Sequence, residues 1–396
     1  MEIILREMKE KEKNRLQSLD EWRKRVLPLA IQLRAKQTKH RKKQVMTIQN
    51  QIKNAFSGIV GQSRIVEILM RAAFAALAEG NLQSFLFTGL AGLGKTHLLT
   101  AYIRALDIVA KELHKVEKQS VFVTSPEAFR LANSSEFATV KSAIMELRPL
   151  ILGVDEFHEL STGYMGPTKR AVSRFIKEAL DGASENGRVI RFGDSEETTH
   201  VSRKTVSINC ATNFPAMLKD ADAQKRRFDA ILALDLMTTE EIAQVTQLML
   251  QKRGIRCNND TTLMTIARCG RGTCELPENI SRTLESIARV AGKDTVNRDE
   301  VLEALRSLQR YPRGLSRAEM RMLESSLGIF QRETSLAIVL GIEAKAVKQS
   351  AGFLHAQYDS ETGKHTPFIE MKGSQIRATK AGADFLEHAR KARFVW

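Results

Sequence analysis

Downstream of Ser57, short apolar runs alternate with longer stretches of helical period. Ser84-Phe85-Leu86-Phe87-Thr88, Val121-Phe122-Val123-Thr124, Leu150-Ile151-Leu152-Gly153-Val154 and Val206-Ser207-Ile208-Asn209-Cys210 are of strand length and apolar with little alternation. That is the pattern of strands covered on both faces, so it predicts an α/β domain with a parallel sheet and helices on both sides. Between the third and fourth runs lies a helix around Lys169 to Leu180. Arg188-Val189-Ile190-Arg191-Phe192, Gly193-Asp194 and a polar return from His200 to Lys204 follow it, which reads as a hairpin at 188–205 inserted before the fourth strand.

Near Met237 the strands stop. Thr238-Thr239-Glu240-Glu241 has the form of a capping box, and helical periodicity continues to about Gln309. Tyr311-Pro312-Arg313-Gly314 reads as a linker. Three short helices follow, then Phe368-Ile369-Glu370-Met371, a turn at Lys372-Gly373-Ser374, and Gln375-Ile376-Arg377-Ala378, the outline of a winged-helix module. The expected organisation is a basic helical arm at 1–56, a large α/β domain at 57–237, a helical domain at 238–310 and a winged helix at 311–396.

Charge adds a partner class. Residues 1–56 hold 15 Lys/Arg against 6 Asp/Glu, which is +9 of a total +15, with Lys39-His40-Arg41-Lys42-Lys43 the densest cluster. A basic excess of this size favours a polyanion, most often nucleic acid, although a solubilising tail would look the same. No apolar run approaches the length of a membrane span, and charge begins at Glu2, which predicts neither membrane nor secretory signal and a cytoplasmic protein. Cys210, Cys257, Cys269 and Cys274 lack metal-site spacing and read as reduced thiols.

The chemistry centres on Gly89-Leu90-Ala91-Gly92-Leu93-Gly94-Lys95-Thr96, a complete G-x-x-x-x-G-K-T loop between an apolar strand and a helix that continues through His97. Its glycines let backbone N–H groups turn towards phosphates, Lys95 neutralises phosphate charge, and the Thr96 hydroxyl can hold Mg²⁺. The loop takes ATP or GTP. The apolar strand before Asp155-Glu156 gives those carboxylates distinct expected roles, Asp155 in organising Mg²⁺ and Glu156 in polarising the attacking water. Asn213, just after the fourth strand, is placed to orient that water, though Asn before Phe214-Pro215 is also a common turn residue. Arg226 or Arg227 is a candidate arginine finger reaching a neighbouring subunit; a basic surface turn has the same composition. On the expected winged helix, Lys345, Lys348, Lys372, Arg377 and Lys380 could neutralise DNA phosphates.

In this order, and with a helical region after them, these motifs resemble the AAA+ ATPases, and within them the RuvB family of bacterial Holliday-junction branch-migration motors. Ile59-Val60-Gly61-Gln62 is similar to that family's adenine-side box, and Val154-Asp155-Glu156-Phe157-His158-Glu159-Leu160, the inserted hairpin and Arg271-Gly272-Thr273 also match. The resemblance spans about residues 57–390. It implies an ATP-binding large domain, a helical lid, a C-terminal winged helix and a ring-forming, hexameric motor acting on double-stranded or junction DNA in recombination or repair. A protein partner would dock on the hairpin 188–205 or the arm 1–56. The alternative is an ATP-switched adaptor or loader that recruits a transposase or replicative helicase. The chain departs from the family in four places, one being the basic arm 1–56, longer than the family's N-terminus. The loop opens Gly89-Leu90-Ala91-Gly92 where the family has Gly-Pro-Pro-Gly, and the hairpin tip Gly193-Asp194-Ser195-Glu196-Glu197 is acidic where the family's is apolar. The family's lid arginine after Gly-Thr-Pro has no direct counterpart in Gly272-Thr273-Cys274-Glu275, leaving Arg282 as the nearest candidate.

Overall fold

A computed structural model describes residues 45–114, 120–123, 150–160, 176–181, 188–191, 198–202, 204–213, 226–355, 366–392 and 394. Most of the basic arm, the hairpin tip and the stretch from Phe214 to Lys225 lie outside these residues. The first described helix, α1 (45–55), buries Ile48 and Ile52, and Phe56 follows them into the same core, so the chain is already part of the large domain from there. Helix α2 (Ser63–Glu79) closes at Gly80, whose φ of 74° and N–H bond to the Ala76 carbonyl form a left-handed cap.

Five parallel strands form the central sheet: β1 (Phe85–Thr88), β2 (Ser120–Val123), β3 (Leu150–Val154), β6 (Val206–Thr212) and β7 (Ala230–Ala233). Their order is β2-β3-β6-β1-β7. Register is fixed by pairings such as Leu86 with Cys210 and Val154 with Cys210. Strands β1, β3 and β6 are buried along their whole length, as strands covered on both faces are. β7 was not apparent in the sequence pattern: Ala-Ile-Leu-Ala is short, and on the sheet edge only Leu232 of its four residues is buried. Buried polar groups tie β6 to β1. The Asn209 Oδ1 accepts the Phe85 N–H at 2.9 Å and its Nδ2 donates to Ser207 Oγ at 2.8 Å.

Helix α3 (Lys95–His114) follows β1, and a short helix α4 (176–181) precedes an antiparallel pair, β4 (Arg188–Arg191) and β5 (Thr198–Val201), which confirms the strands of the inserted hairpin. After β7 come α5 (Thr239–Lys252), α6 (Asp260–Arg268), α7 (Glu275–Val290) and α8 (Arg298–Ser307), with a two-residue parallel bridge, β8 (Arg256–Cys257) to β9 (Thr295–Val296). The capping box at α5 is present as read: Thr238 accepts the Glu241 N–H and Glu241 accepts the Thr238 N–H.

The C-terminal unit holds α9 (Arg317–Ser325), α10 (Glu333–Leu340), α11 (Ala344–His355), a hairpin of β11 (Ile369–Lys372) and β12 (Gln375–Ala378), and a last helix α12 (Lys380–Lys391). A third strand, β10 (Gln331–Arg332), pairs with β12. The expected linker is packed instead of loose. Tyr311 is buried with its ring 5.9 Å from that of Phe394, and Gly314, at φ 71°, lies so close to the Cys269 carbonyl that a Cβ would come within 2.6 Å of it. One apolar core accordingly runs from Leu250 through Leu315 to Phe394, uniting the helical region with the C-terminal unit. Across this junction the Arg271 Nη1 and Nη2 donate to the two Glu319 carboxylate oxygens at 2.7 and 2.8 Å, and Nη2 also reaches the Gly314 carbonyl at 2.5 Å. Among the described residues no helix is long and apolar enough to cross a membrane.

Candidate functional site

Parallel strands end on one edge of a sheet, and in open α/β sheets that edge is where ligands bind. The loops after β1, β3 and β6 meet there because β6 lies between the other two. Together they line a cavity of about 380 Å³, within the usual range for small-molecule sites. Its walls include Ile59, Val60, Gly92, Leu93, Gly94, Lys95, Thr96, His97, Asp155, Glu156 and Asn213. Eleven residues chosen from sequence thus converge on one space, and Gly89 sits at the base of the same loop.

The loop between β1 and α3 is built by glycine. Gly92 and Gly94 have φ of 76° and 87°, a region other residues enter at a cost. They turn the backbone so that the N-terminus of α3, with Lys95 and Thr96 in its first turn, opens into the cavity. The Lys95 side chain is almost wholly enclosed and donates to the carbonyls of Gly89 at 2.9 Å and Leu90 at 2.6 Å. Burial pulls its pKa down from the ordinary lysine value, against the opposing influence of Glu156 and Asp155. An enclosed ammonium held by two carbonyls is suited to an incoming anion.

Thr96 Oγ1 donates to Asp155 Oδ2 at 2.5 Å, bringing a hydroxyl and a carboxylate together beside the loop. These are hard oxygen donors of the kind Mg²⁺ prefers, and they leave room for phosphate and water to complete an octahedron. Next to them Glu156 adopts φ 46°, in the left-handed region, and its Oε1 accepts the Asn213 Nδ2 at 2.7 Å. Its Oε2 is buried without a hydrogen bond. Strain and an unsatisfied carboxylate oxygen in one residue mark a site more than a fold.

The opposite wall comes from the helical region. Met237, Val245, Leu248, Met249 and Cys274 give an apolar face beside Ile59 and Val60 that suits a flat base. The capping box marks the start of α5, but which of its residues would face a ligand depends on how it docks on the large domain. That docking is set by Gln62, whose amide donates to the Asp235 carbonyl at 2.6 Å and accepts from its N–H at 3.2 Å. The phosphate loop also touches α7 directly: the Cys274 N–H donates to the Gly92 carbonyl at 2.8 Å.

The remaining candidates lie elsewhere. Arg282 is outside the cavity lining and pairs at 2.5 Å with Glu278, which does line it. Arg227 Nε donates to Asp181 at 2.6 Å, Arg226 is exposed, and neither lines the cavity of its own chain. Phe228, beside them, is buried edge-on to Phe157, with ring centroids 6.1 Å apart. In the C-terminal unit Lys345, Lys348 and Lys380 are exposed. Lys372 and Arg377 both lie over the Phe330 ring, at 4.9 and 4.4 Å, and Arg377 also pairs with Glu370.

Comparison with known proteins agrees with this geometry. Residues 85–236 match the model of the ATPase family associated with various cellular activities (AAA). The chain is 27% identical to the Holliday junction branch migration complex subunit RuvB of Anaeromyxobacter sp. (strain Fw109-5) over 279 residues, 69% of this chain and 73% of that protein. It is 24% identical to RuvB of Chlamydia caviae over 296 residues, 73% of this chain and 79% of the relative. Among solved structures, a single-residue variant of Thermotoga maritima RuvB superposes with a TM-score of 0.52 at 18% identity, covering 83% of this chain and 96% of that one. Residues 85–236 thus carry an AAA ATPase domain, and over most of its length the chain is similar to RuvB.

Proposed function

We propose that the protein is a ring-forming AAA+ motor, with a hexamer the expected state, that couples ATP hydrolysis to movement along double-stranded or junction DNA. In this reading residues 57–237, joined by α1 (45–55), form the ATPase domain, 238–310 the lid and 311–396 a DNA-binding winged helix. The single observation that carries it is the convergence of the phosphate loop, Asp155, Glu156 and Asn213 on one cavity at the sheet edge. Lys95 and the backbone N–H groups of the loop bind the phosphates, and Ile59 and Val60 lie on the base side. Thr96 and Asp155 hold Mg²⁺, which when bound neutralises charge on the transferred phosphoryl group. Glu156 activates the water that Asn213 helps to orient. That neither Arg226 nor Arg227 lines its own cavity supports a role for one of them in the neighbouring subunit's site.

Support for DNA comes from the basic balance, from the exposed Lys345, Lys348 and Lys380, and from the RuvB relatives, which are named as branch-migration subunits. The test is steady-state ATPase with and without duplex and four-way-junction DNA, for the wild type and Glu156→Gln. Stimulation by DNA that Glu156→Gln abolishes while ATP binding persists supports the motor. A slow rate indifferent to either DNA overturns it in favour of a switch-type adaptor or loader.

A further inference from the structure

The buried Glu156 Oε2 lies 3.4 Å from Nδ1 of His158. The same nitrogen is 3.2 Å from Thr212 Oγ1. The imidazole is largely enclosed, at 12% exposure. A carboxylate oxygen can only accept a hydrogen bond, whereas a hydroxyl can donate or accept. A nitrogen facing both is therefore best satisfied when it carries the proton; the other tautomer sets a lone pair against the carboxylate. The local fold explains why the three groups meet. Glu156 turns the chain left-handed at the end of β3, and the 3₁₀ turn Phe157–Leu160 brings His158 back beneath the carboxylate. Phe157 anchors that turn against Phe228. Thr212 and Asn213 are consecutive at the end of the adjacent strand, so β6 reaches both oxygens of one carboxylate, one through the Asn213 amide and the other through His158.

We propose that His158 is a positioning residue for ATP hydrolysis: its Nδ1–H, shared between the Thr212 hydroxyl and Glu156 Oε2, fixes the carboxylate so that its other oxygen meets the attacking water. The inference rests on the reading of Glu156 as the water-activating group. Hydrogen bonds of this kind are often long before substrate binds, so a contact of 3.4 Å is a starting point that the bound state shortens.

Asparagine and glutamine separate the role from mere packing. The Asn amide sits where Nδ1 is, while the Gln amide extends to where Nε2 is, and both side chains are polar and smaller than or similar to imidazole. His158→Asn should keep kcat within about threefold of wild type, and His158→Gln should lose about 10–100-fold, both with KM and equilibrium ATP affinity nearly unchanged. Equal kcat in the two variants, whether high or low, overturns the proposal, as does a loss in His158→Gln matched by an equal loss of ATP affinity. Glu156→Gln is the control. Full turnover there overturns the reading of Glu156 itself, whereas an inactive Glu156→Gln beside a fully active His158→Gln overturns only the role of His158.

Discussion

Arg271→Met removes the charge that joins the helical region to the C-terminal unit while keeping much of the apolar stem. In the wild type the guanidinium grips both oxygens of Glu319, reaches the Gly314 carbonyl and stacks 3.7 Å over the Phe353 ring. The Glu319 side chain is only 5% exposed and also accepts from the Ser316 N–H at 2.7 Å and Oγ at 2.9 Å. Methionine leaves that carboxylate buried with two donors from Ser316 and no cation. Breaking a buried pair from one side costs about 3–5 kcal/mol. The pH dependence has a definite sign. Burial pushes the Glu319 pKa up, but hydrogen bonds and charge from Arg271, with the Ser316 bonds, outweigh it and hold the value below the ordinary one. A depressed folded-state value means stabilisation that is fully present above the unfolded carboxylate pKa of about 4.3 and is lost as pH falls through the folded value. Urea unfolding followed by far-UV circular dichroism should show the full deficit at neutral pH and a smaller one in acid. In a double-mutant cycle with Glu319→Gln the coupling should be about 1–3 kcal/mol. Additivity within about 0.5 kcal/mol would refute the assignment of a desolvated, mutually dependent pair.

Three further outcomes are expected. Gly92→Ala places a Cβ 2.7 Å from the Glu275 backbone nitrogen in a left-handed backbone. Fluorescent-nucleotide titration should therefore give affinity reduced about tenfold or more, the scale of about 1.4 kcal/mol; unchanged affinity would show that loop and α7 part freely. Asn209→Ala strips the Phe85 N–H of its buried acceptor and should lower stability by about 1–3 kcal/mol in urea, where a neutral result would mean that water replaces the amide. Burial pushes the Cys257 and Cys274 thiols up to about 11, Cys269 to about 12 and Cys210 well above the ordinary range. With Ellman's reagent at pH 8 native protein should show no fast-reacting thiol among these four, and raising the pH to about 10 should quicken Cys257 and Cys274 about a hundredfold. A fast thiol at pH 8 would contradict this burial.

The sheet and the phosphate edge were legible because each rests on local rules. Apolar runs such as Leu150–Val154 are unambiguous over a few residues, and a G-x-x-x-x-G-K-T loop fixes its own geometry. β7 is hidden in the sequence because an edge strand buries little: Ala230–Ala233 has a single buried residue and no alternation. His158 lay within a motif already noted, but its bearing on Glu156 depends on Thr212 arriving 54 positions later in sequence. Likewise the Arg271 clasp closes over 48 positions, and a lone arginine beside two glycines gives no sign of a buried carboxylate partner. Composition marks Tyr311-Pro312-Arg313-Gly314 as a linker, whereas its burial depends on Phe394, far along the chain.

A single apolar core joins residues 250–394 across the expected boundary between the helical region and the C-terminal unit. The helical region and the C-terminal unit share this core, and the sheet with α1 to α3 has another. Among the described residues, 234–238 join the two, with Gln62 clasping the Asp235 backbone on one side and the Met237 N–H held by the Gly272 carbonyl on the other. Any shift of α7 against the phosphate loop would then be shared with the unit that bears the exposed Lys345, Lys348 and Lys380.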